Sequence, residues 1–158
     1  MKTHIDIQHA CNDKPPVSDA LLKQWAACAI ETQAQSAEVT LRLVEQDEIK
    51  QLNHRYRQQD KPTNVLAFPS DIPDHIAYDC PFLGDVIICP AVLLDESMAL
   101  HKPLTAHWAL IVIHGILHLL GYDHIEDHDA TVMQALEIKL LAQLGFDNPY
   151  KDHDIELE

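Results

Sequence analysis

Apolar residues follow two different periods along the chain, and these divide it into short strands and helices. Alternating or short apolar runs predict strands at residues 5–7, 39–43, 65–68 and 83–88. Apolar side chains three and four residues apart predict helices at residues 18–29, 45–55, 90–100, 105–121 and 128–144. This order favours an α+β fold in which one small mixed β-sheet is packed with helices.

Individual residues sharpen the predicted boundaries. Ser18 is a favourable N-cap for the first helix, Pro90 suits the first turn of the third, and Thr105 is expected to cap the fourth. Gly121 is expected to end that fourth helix, because a residue in the left-handed conformation is best without a Cβ atom. Three prolines and three aspartates predict a loop at residues 69–81.

Two of the helices are predicted to bury an apolar face. In the second helix this face holds Ile49, Leu52 and Tyr56. We expect Tyr56 to occupy a core position, and the alternative is that its ring stacks on a nucleobase. In the last helix the inward residues are expected to be Val132, Met133, Leu136, Leu140 and Leu141.

Length and charge restrict the function further. The chain has 158 residues, of which 47% are hydrophobic, and this is enough for one domain with a proper core, expected over residues 1–150. Its 11 Lys and Arg against 25 Asp and Glu give a net charge of −14, and the acidic residues 151–158 are expected to form a disordered tail. Because such a field repels nucleic acid and anionic membranes, a polyanionic substrate needs a local positive strip.

The sequence also indicates a cellular compartment. Residues 1–6 contain no apolar segment typical of a signal peptide, and the longest apolar run, residues 108–113, is too short to span a bilayer. The four cysteines form no C-x-x-C pair, which is typical of a protein with reduced thiols. We therefore expect a cytoplasmic protein with no membrane partner.

Three histidines have a spacing that suits a metal ion. His114 and His118 are four residues apart on the predicted fourth helix, so their Cβ atoms share one face about 5–6 Å apart. Gly121 lets the chain turn back, which brings His124 within reach as a third ligand. Three neutral ligands with an open fourth position are typical of a catalytic zinc site, and the H-x₃-H-x₅-H spacing is that of a zincin-like metal helix.

The residue after the first histidine argues against a protease. Zincin proteases carry a glutamate there as general base, and this chain has Gly115. A peptidase stays an alternative only if another residue, such as Glu126 or Glu137, supplies the base.

Four of the basic residues lie within twelve positions at the end of the predicted second helix: Lys50, Arg55, Arg57 and Lys61. Such a cluster is either a solvated helix face or the positive strip that a phosphate substrate requires. An arginine of this cluster can pair with a phosphoryl group and stabilise its developing charge.

Four other residues are candidates for smaller roles. Asp85 either lines the cleft or caps a strand, and Asp123 either orients a ligand imidazole or forms a turn. His107 is expected in the core and His128 at the surface.

Four segments fit one family signature in the same order. Residues 114–124 read H-G-I-L-H-L-L-G-Y-D-H, and residues 53–69 read N-H-R-Y-R-Q-Q-D-K-P-T-N-V-L-A-F-P. Residues 83–86 and 123–137 match two further blocks, and the resemblance covers roughly residues 37–145. In these segments the chain resembles the YbeY family, described as bacterial metal-dependent endoribonucleases of ribosomal RNA maturation. Two positions depart from the commonest form, with Asn64 in place of Asp and Ala67 in place of Ser.

The resemblance implies a function and a set of site residues. It implies one Zn²⁺ per chain on His114, His118 and His124, and a catalytic role for Arg57. It implies a single-strand-specific endoribonuclease that processes the 3′ end of small-subunit ribosomal RNA and acts in ribosome quality control. The implied partners are ribosomal RNA and a small ribosomal subunit protein or an assembly GTPase. Either hydroxide or a ribose 2′-OH can serve as the nucleophile at such a site.

A second function is compatible with the same residues. In a ribosome assembly factor that binds zinc without cleaving RNA, the histidines and their ion would serve only to stabilise the structure. The net charge of −14 favours this alternative, because it is unusual for a nuclease that meets its substrate without a partner.

Overall fold

Strands and helices alternate along most of the chain. The computed structural model describes residues 2–33, 36–70, 80–151 and 157. Within these residues the elements are β1 (Lys2–Ala10), α1 (Asp19–Ile30), β2 (Ser36–Val44), α2 (Gln46–Arg57), β3 (Val65–Pro69), β4 (Phe82–Ile88), α3 (Pro90–Leu100), α4 (Leu104–Leu119) and α5 (Asp127–Gln143). Each element predicted from the periodicity has its counterpart here.

The described strands form one mixed sheet in the order β1-β2-β4-β3. β1 is parallel to β2, β2 is parallel to β4, and the edge strand β3 is antiparallel to β4. Because successive side chains of a strand point to opposite faces, Val86 and Ile88 face one side of the sheet, and Asp85 and Ile87 face the other. The predicted α+β fold with one small mixed sheet is confirmed.

The helices cover both faces of this sheet. α1 and α4 pack on the face that holds Val86, and Ile111 of α4 lies in the same core cluster. On the opposite face Ile49 of α2 packs in a cluster with Ile87. The sheet therefore separates α2, which ends at Arg57, from α4. Although α4 is apolar almost all round, neither it nor any other described helix is long and apolar enough to cross a membrane.

The predicted helix caps are partly confirmed. The Oγ atom of Ser18 accepts a hydrogen bond from the Leu21 amide at 3.3 Å, and Pro90 is the first residue of α3. The prediction for Thr105 is wrong, because α4 begins at Leu104 with Pro103 as its N-cap. Proline has no N–H group that a helix start would leave unpaired, and it disfavours the helical conformation of the residue before it. The helix therefore begins directly after Pro103.

Two predicted core positions are wrong. Tyr56 is 53% exposed, because it lies in the last turn of α2, and its ring meets that of Phe68 in a T-shaped contact with 5.2 Å between centroids. Val132 is 43% exposed, whereas the next residue, Met133, is buried. Successive residues of a helix are rotated by about 100° around its axis. Because Met133 faces the core, its neighbour Val132 faces solvent.

Two predicted segments fall largely outside the described residues. Of the predicted loop at 69–81, residues 71–79 are not described, and of the predicted tail, residues 152–156 and 158 are not. Lys151 is exposed, and Leu157 packs against the main core cluster. The domain boundary at residue 150 stays a prediction.

Candidate metal centre

Three histidines come together at the C-terminal end of α4. The ligand nitrogens of His114, His118 and His124 all lie within 4.8 Å of one another. The Nε2 atoms of His114 and His118 are 3.0 Å apart. Two nitrogens bound tetrahedrally to one zinc ion at about 2.0–2.1 Å are about 3.3 Å apart, so this pair has nearly the spacing of ligands to a common ion. The three imidazoles could hold a single divalent ion, and no fourth His, Cys, Asp or Glu joins their cluster among the described residues.

The turn after α4 explains how His124 reaches the other two histidines. The Gly121 amide donates to the carbonyl of His118 and the Tyr122 amide donates to that of Leu117, both at 3.1 Å. This pair of bonds is the Schellman motif, which requires a left-handed residue, and Gly121 has φ +102°. The predicted role of Gly121 is confirmed, and the reversal places His124 beside the end of the helix.

A buried carboxylate supports the first histidine. The Nδ1 atom of His114 lies 2.6 Å from Oε2 of Glu137, and both residues are 1% exposed. The Oε1 atom of Glu137 accepts a hydrogen bond from the Tyr150 hydroxyl at 2.6 Å. Burial, the charge of Glu137 and this hydrogen bond raise the pKa of Tyr150 far above its usual range, so the hydroxyl keeps its proton.

The contact between Glu137 and His114 was missing from the sequence analysis, although a signal for it exists. Glu137 lies on the same stripe of α5 as Met133, Leu140 and Leu141, all of which are buried. A single acid within an apolar stripe has to be paired, because burial of an unpaired carboxylate is costly. The pattern therefore indicates a buried partner for Glu137 but does not identify it.

The structure leaves no room for a peptidase base at the position after the first histidine. A Cβ atom on Gly115 would lie 2.6 Å from Cγ1 of Val86, so the position after His114 faces the sheet and has no room for a side chain. Glu137 already accepts from Nδ1 of His114, and Glu126 is exposed as the N-cap of α5.

The predicted basic strip lies at the exposed end of α2. Arg57 is exposed and, in the described part of the chain, forms no salt bridge. The Arg55 guanidinium lies 5.4 Å from the centroid of the Tyr56 ring. The Lys50 ammonium is 4.0 Å from Oδ1 of Asp60. Both arginines are exposed, and they differ in that the Arg55 guanidinium lies over the Tyr56 ring.

The strip and the histidines approach the same end of the sheet from opposite faces. Tyr56, which precedes Arg57, contacts Phe68 near the end of β3. On the other face, a Cβ atom on Gly84 of β4 would lie 3.0 Å from the Leu119 side chain at the end of α4. Gly84 pairs with the residue after Phe68. The end of β3 therefore lies near both the last turn of α2 and the end of α4.

The four remaining candidate residues lie in different environments. Asp85 lies inside β4 and is no cap, and with Tyr56 it lines a groove of about 750 Å³ on the face away from α4. Asp123 accepts a hydrogen bond from the Ile125 amide at 3.3 Å, which is the contact of a turn residue. His107 is buried, with Nε2 2.9 Å from Oε1 of Glu96, and His128 is exposed, so both of these predictions are confirmed.

Asn64, which departs from the family's usual Asp, has a specific local role. It is 3% exposed, and its Nδ2 donates to Oε2 of Glu96 at 3.0 Å. Its Oδ1 accepts from the Val65 amide at 2.7 Å. An amide can make both contacts at once, whereas a carboxylate would place a second negative charge beside Glu96.

Comparisons with known proteins identify the family. Residues 7–145 match the family model described as endoribonuclease YbeY. A Legionella pneumophila (strain Corby) protein named endoribonuclease YbeY is 54% identical over 158 residues, which is 100% of both chains. A Pseudomonas putida protein with the same name is 49% identical over 152 residues, 96% of each chain. The solution structure of a Thermotoga maritima protein aligns with a TM-score of 0.58 and 29% identity over 96% of this chain and 99% of that one. The chain therefore belongs to the endoribonuclease YbeY family.

Proposed function

We propose that this protein is a zinc-dependent endoribonuclease that cleaves single-stranded regions of ribosomal RNA. The observation that carries the proposal is the cluster of His114, His118 and His124 at ligand spacing in a chain of this family. Three neutral imidazoles with an open position are typical of catalytic zinc, and this supports one Zn²⁺ per chain.

The residues around this site would divide the work of phosphodiester cleavage. The three histidines would hold the ion, which when bound supplies Lewis acidity and makes a nucleophilic water available near neutral pH. Arg57 would pair with non-bridging phosphate oxygens and stabilise the charge that develops on them. Its exposure and its place at the same end of the sheet support this role.

The surface beside Arg57 supports a preference for unpaired RNA. Tyr56 is more than half exposed, and the Arg55 guanidinium lies over its ring. Aromatic and guanidinium planes stack on bases that are free of a duplex, whereas paired bases keep their faces covered. This supports the alternative role of Tyr56 as a stacking residue.

The biological setting follows from the family resemblance and the charge. We propose a cytoplasmic role in the 3′-end processing of small-subunit ribosomal RNA and in ribosome quality control. A net charge of −14 disfavours unaided approach to RNA, which supports delivery of the substrate by a small-subunit protein or an assembly GTPase. The same charge is the observation that favours the second candidate, a zinc-binding assembly factor without nuclease activity.

A cleavage assay tests the proposal. End-labelled RNA that contains both a hairpin and a single-stranded tail is incubated with purified protein, with chelator, and with chelator followed by added Zn²⁺. We expect cuts in the tail only, their loss with chelator and their return with zinc, whereas casein stays intact. Zinc-loaded protein that binds this RNA without cutting it would favour the assembly factor, and chelator-sensitive cutting of casein would favour the peptidase.

A further inference from the structure

The segment after the last helix contributes to the metal centre. We propose that Tyr150 and Glu137 are positioning residues, in which the Tyr150 hydroxyl fixes the Glu137 carboxylate and the carboxylate fixes the His114 ring. The inference rests on the proposed function for the presence of a metal, and it adds Tyr150, which lies beyond the family match ending at residue 145.

The contacts of Glu137 determine which nitrogen of His114 carries the proton. A carboxylate can only accept hydrogen bonds, and Glu137 places one oxygen 2.6 Å from Nδ1 of His114 and the other 2.6 Å from the Tyr150 hydroxyl. Nδ1 therefore carries the proton, and in the neutral ring the lone pair is on Nε2. This is the nitrogen that lies 3.0 Å from Nε2 of His118 and belongs to the ligand cluster.

Burial makes both contacts necessary. Glu137 and His114 are each 1% exposed, so water cannot readily replace a lost donor. Removing the Tyr150 hydroxyl leaves one oxygen of a buried carboxylate unsatisfied, which favours rotation of that carboxylate toward another donor. The His114 ring then loses the contact that holds its orientation and its tautomer, so the geometry offered to a metal becomes less uniform.

Tyr150 is held in place by contacts of its own segment. The Phe146 ring packs edge-on against Trp25, with ring centroids 5.8 Å apart at 76°. The Tyr150 amide donates to Oδ1 of Asn148 at 2.8 Å. Because these contacts do not involve the histidines, the segment can impose a position on Glu137.

Zinc affinity of the full chain tests the proposal without RNA. The variants are Tyr150→Phe and Glu137→Gln, and Zn²⁺ binding is measured by competition with a chromophoric chelator. We expect zinc to bind about tenfold more weakly to Tyr150→Phe and about 10–100-fold more weakly to Glu137→Gln, the range found when contacts behind a metal ligand are removed.

A matched control comes from another largely buried hydroxyl. Ser97 of α3 is 6% exposed, and its Oγ donates a hydrogen bond to the Lys102 carbonyl at 2.6 Å, a contact that involves neither Glu137 nor the three histidines. Ser97→Ala therefore also loses one side-chain hydrogen bond, and we expect its zinc affinity to equal that of the wild type. An equal loss in Ser97→Ala and Tyr150→Phe would mean that both act through general stability, which overturns the proposal.

Histidine ¹⁵N spectra of the zinc-free protein report the tautomer of His114. A change in overall stability does not alter this measurement. We expect His114 of the wild type to be the Nδ1–H tautomer, and the two tautomers to mix in Tyr150→Phe. The opposite tautomer in the wild type, or a Tyr150→Phe zinc affinity within twofold of the wild type, overturns the proposal. If Glu137→Gln does not fold, the zinc affinity and the His114 tautomer of Tyr150→Phe test the proposal. Tight zinc binding without RNA cleavage by the wild type would overturn the nuclease function and leave this inference standing.

Discussion

The Oε2 atom of Glu137 lies 2.6 Å from Nδ1 of His114, although 23 residues separate them along the chain. Through this contact the packing of α5 against α4 acts directly on a ligand of the candidate metal site. The carboxylate touches the side of the imidazole opposite Nε2, so it orients the ring without occupying a ligand position.

The first prediction concerns the metal. Purified wild-type protein is expected to contain about one zinc ion per chain, as three-histidine sites do. His118→Ala is expected to lose most of this zinc and to keep the fold, because His118 is only partly buried and lies near the end of α4. Elemental analysis and circular dichroism check the two parts. Wild-type protein that is folded and yet takes up no added zinc would contradict the prediction.

Arg57 is predicted to act on the cleavage step. If its guanidinium meets charge that develops only in the transition state, Arg57→Ala lowers the cleavage rate at saturating RNA by a factor of about 10²–10³ and changes RNA affinity far less. The rate is measured in single turnover and the affinity over a salt series.

Arg55→Ala is the matched control for Arg57. The Arg55 guanidinium lies over the Tyr56 ring. Because Arg55 is two residues from Arg57 on the helix, the two side chains point in different directions. We expect only a modest loss of affinity with a salt dependence reduced by about one ion. Small and equal effects of the two substitutions on the rate would remove Arg57 from the catalytic residues and favour the assembly factor.

Tyr56 is predicted to contribute to the preference for unpaired RNA. Loss of one stacking ring costs about 1–3 kcal/mol, so Tyr56→Leu is expected to weaken binding of a single-stranded oligonucleotide by about 5–150-fold. Binding of a duplex is expected to change little. Tyr56→Phe keeps the ring and is expected to retain wild-type affinity, so a defect as large as that of Tyr56→Leu would show that the hydroxyl matters instead.

Gly115→Ala is predicted to destabilise the fold. On propensity alone this change would stabilise a helix by about 1 kcal/mol. The new Cβ atom would lie 2.6 Å from Cγ1 of Val86, however, and overpacking of a core costs about 1–3 kcal/mol. Urea unfolding measures the difference. Ala135→Gly, at an exposed site of α5, is the control for propensity, and an unchanged or raised stability of Gly115→Ala would show that α4 can move off the sheet.

The stability of the zinc-free protein is predicted to fall at alkaline pH through Tyr150. Its pKa is raised in the folded state by burial, by the charge of Glu137 and by their hydrogen bond, whereas the unfolded chain releases this proton near pH 10. The stabilisation is therefore complete below about pH 10 and is lost as the pH rises, by at most about 1.4 kcal/mol per pH unit.

Comparison with Tyr150→Phe isolates this contribution. Burial also raises the pKa of the Cys89 thiol, but that effect is common to both proteins and cancels in the difference. The free energies of unfolding, measured from pH 8 to pH 11, are expected to converge as the pH rises. Curves that stay parallel above pH 10 would contradict the assignment.

The sequence by itself determined the features that depend on neighbouring residues. The order of strands and helices followed from periodicity, because the side chains of a strand repeat every two residues and those of a helix every 3.6. The N-cap at Ser18 and the left-handed turn at Gly121 followed from local backbone preferences. The closeness of His114 and His118 followed from helix geometry, since residues four apart share one face whatever surrounds them.

Only the tertiary structure decided which faces meet. In the folded protein Tyr56 is exposed because it lies in the last turn of α2. The helices α2 and α4 pack on opposite faces of the sheet. The tertiary structure also selected Glu137 and Tyr150 as the support of His114. These contacts join residues far apart in the chain, and they depend on how α5 and the segment after it pack. A local pattern can show that a buried acid needs a partner, but the partner is fixed only when distant elements come together.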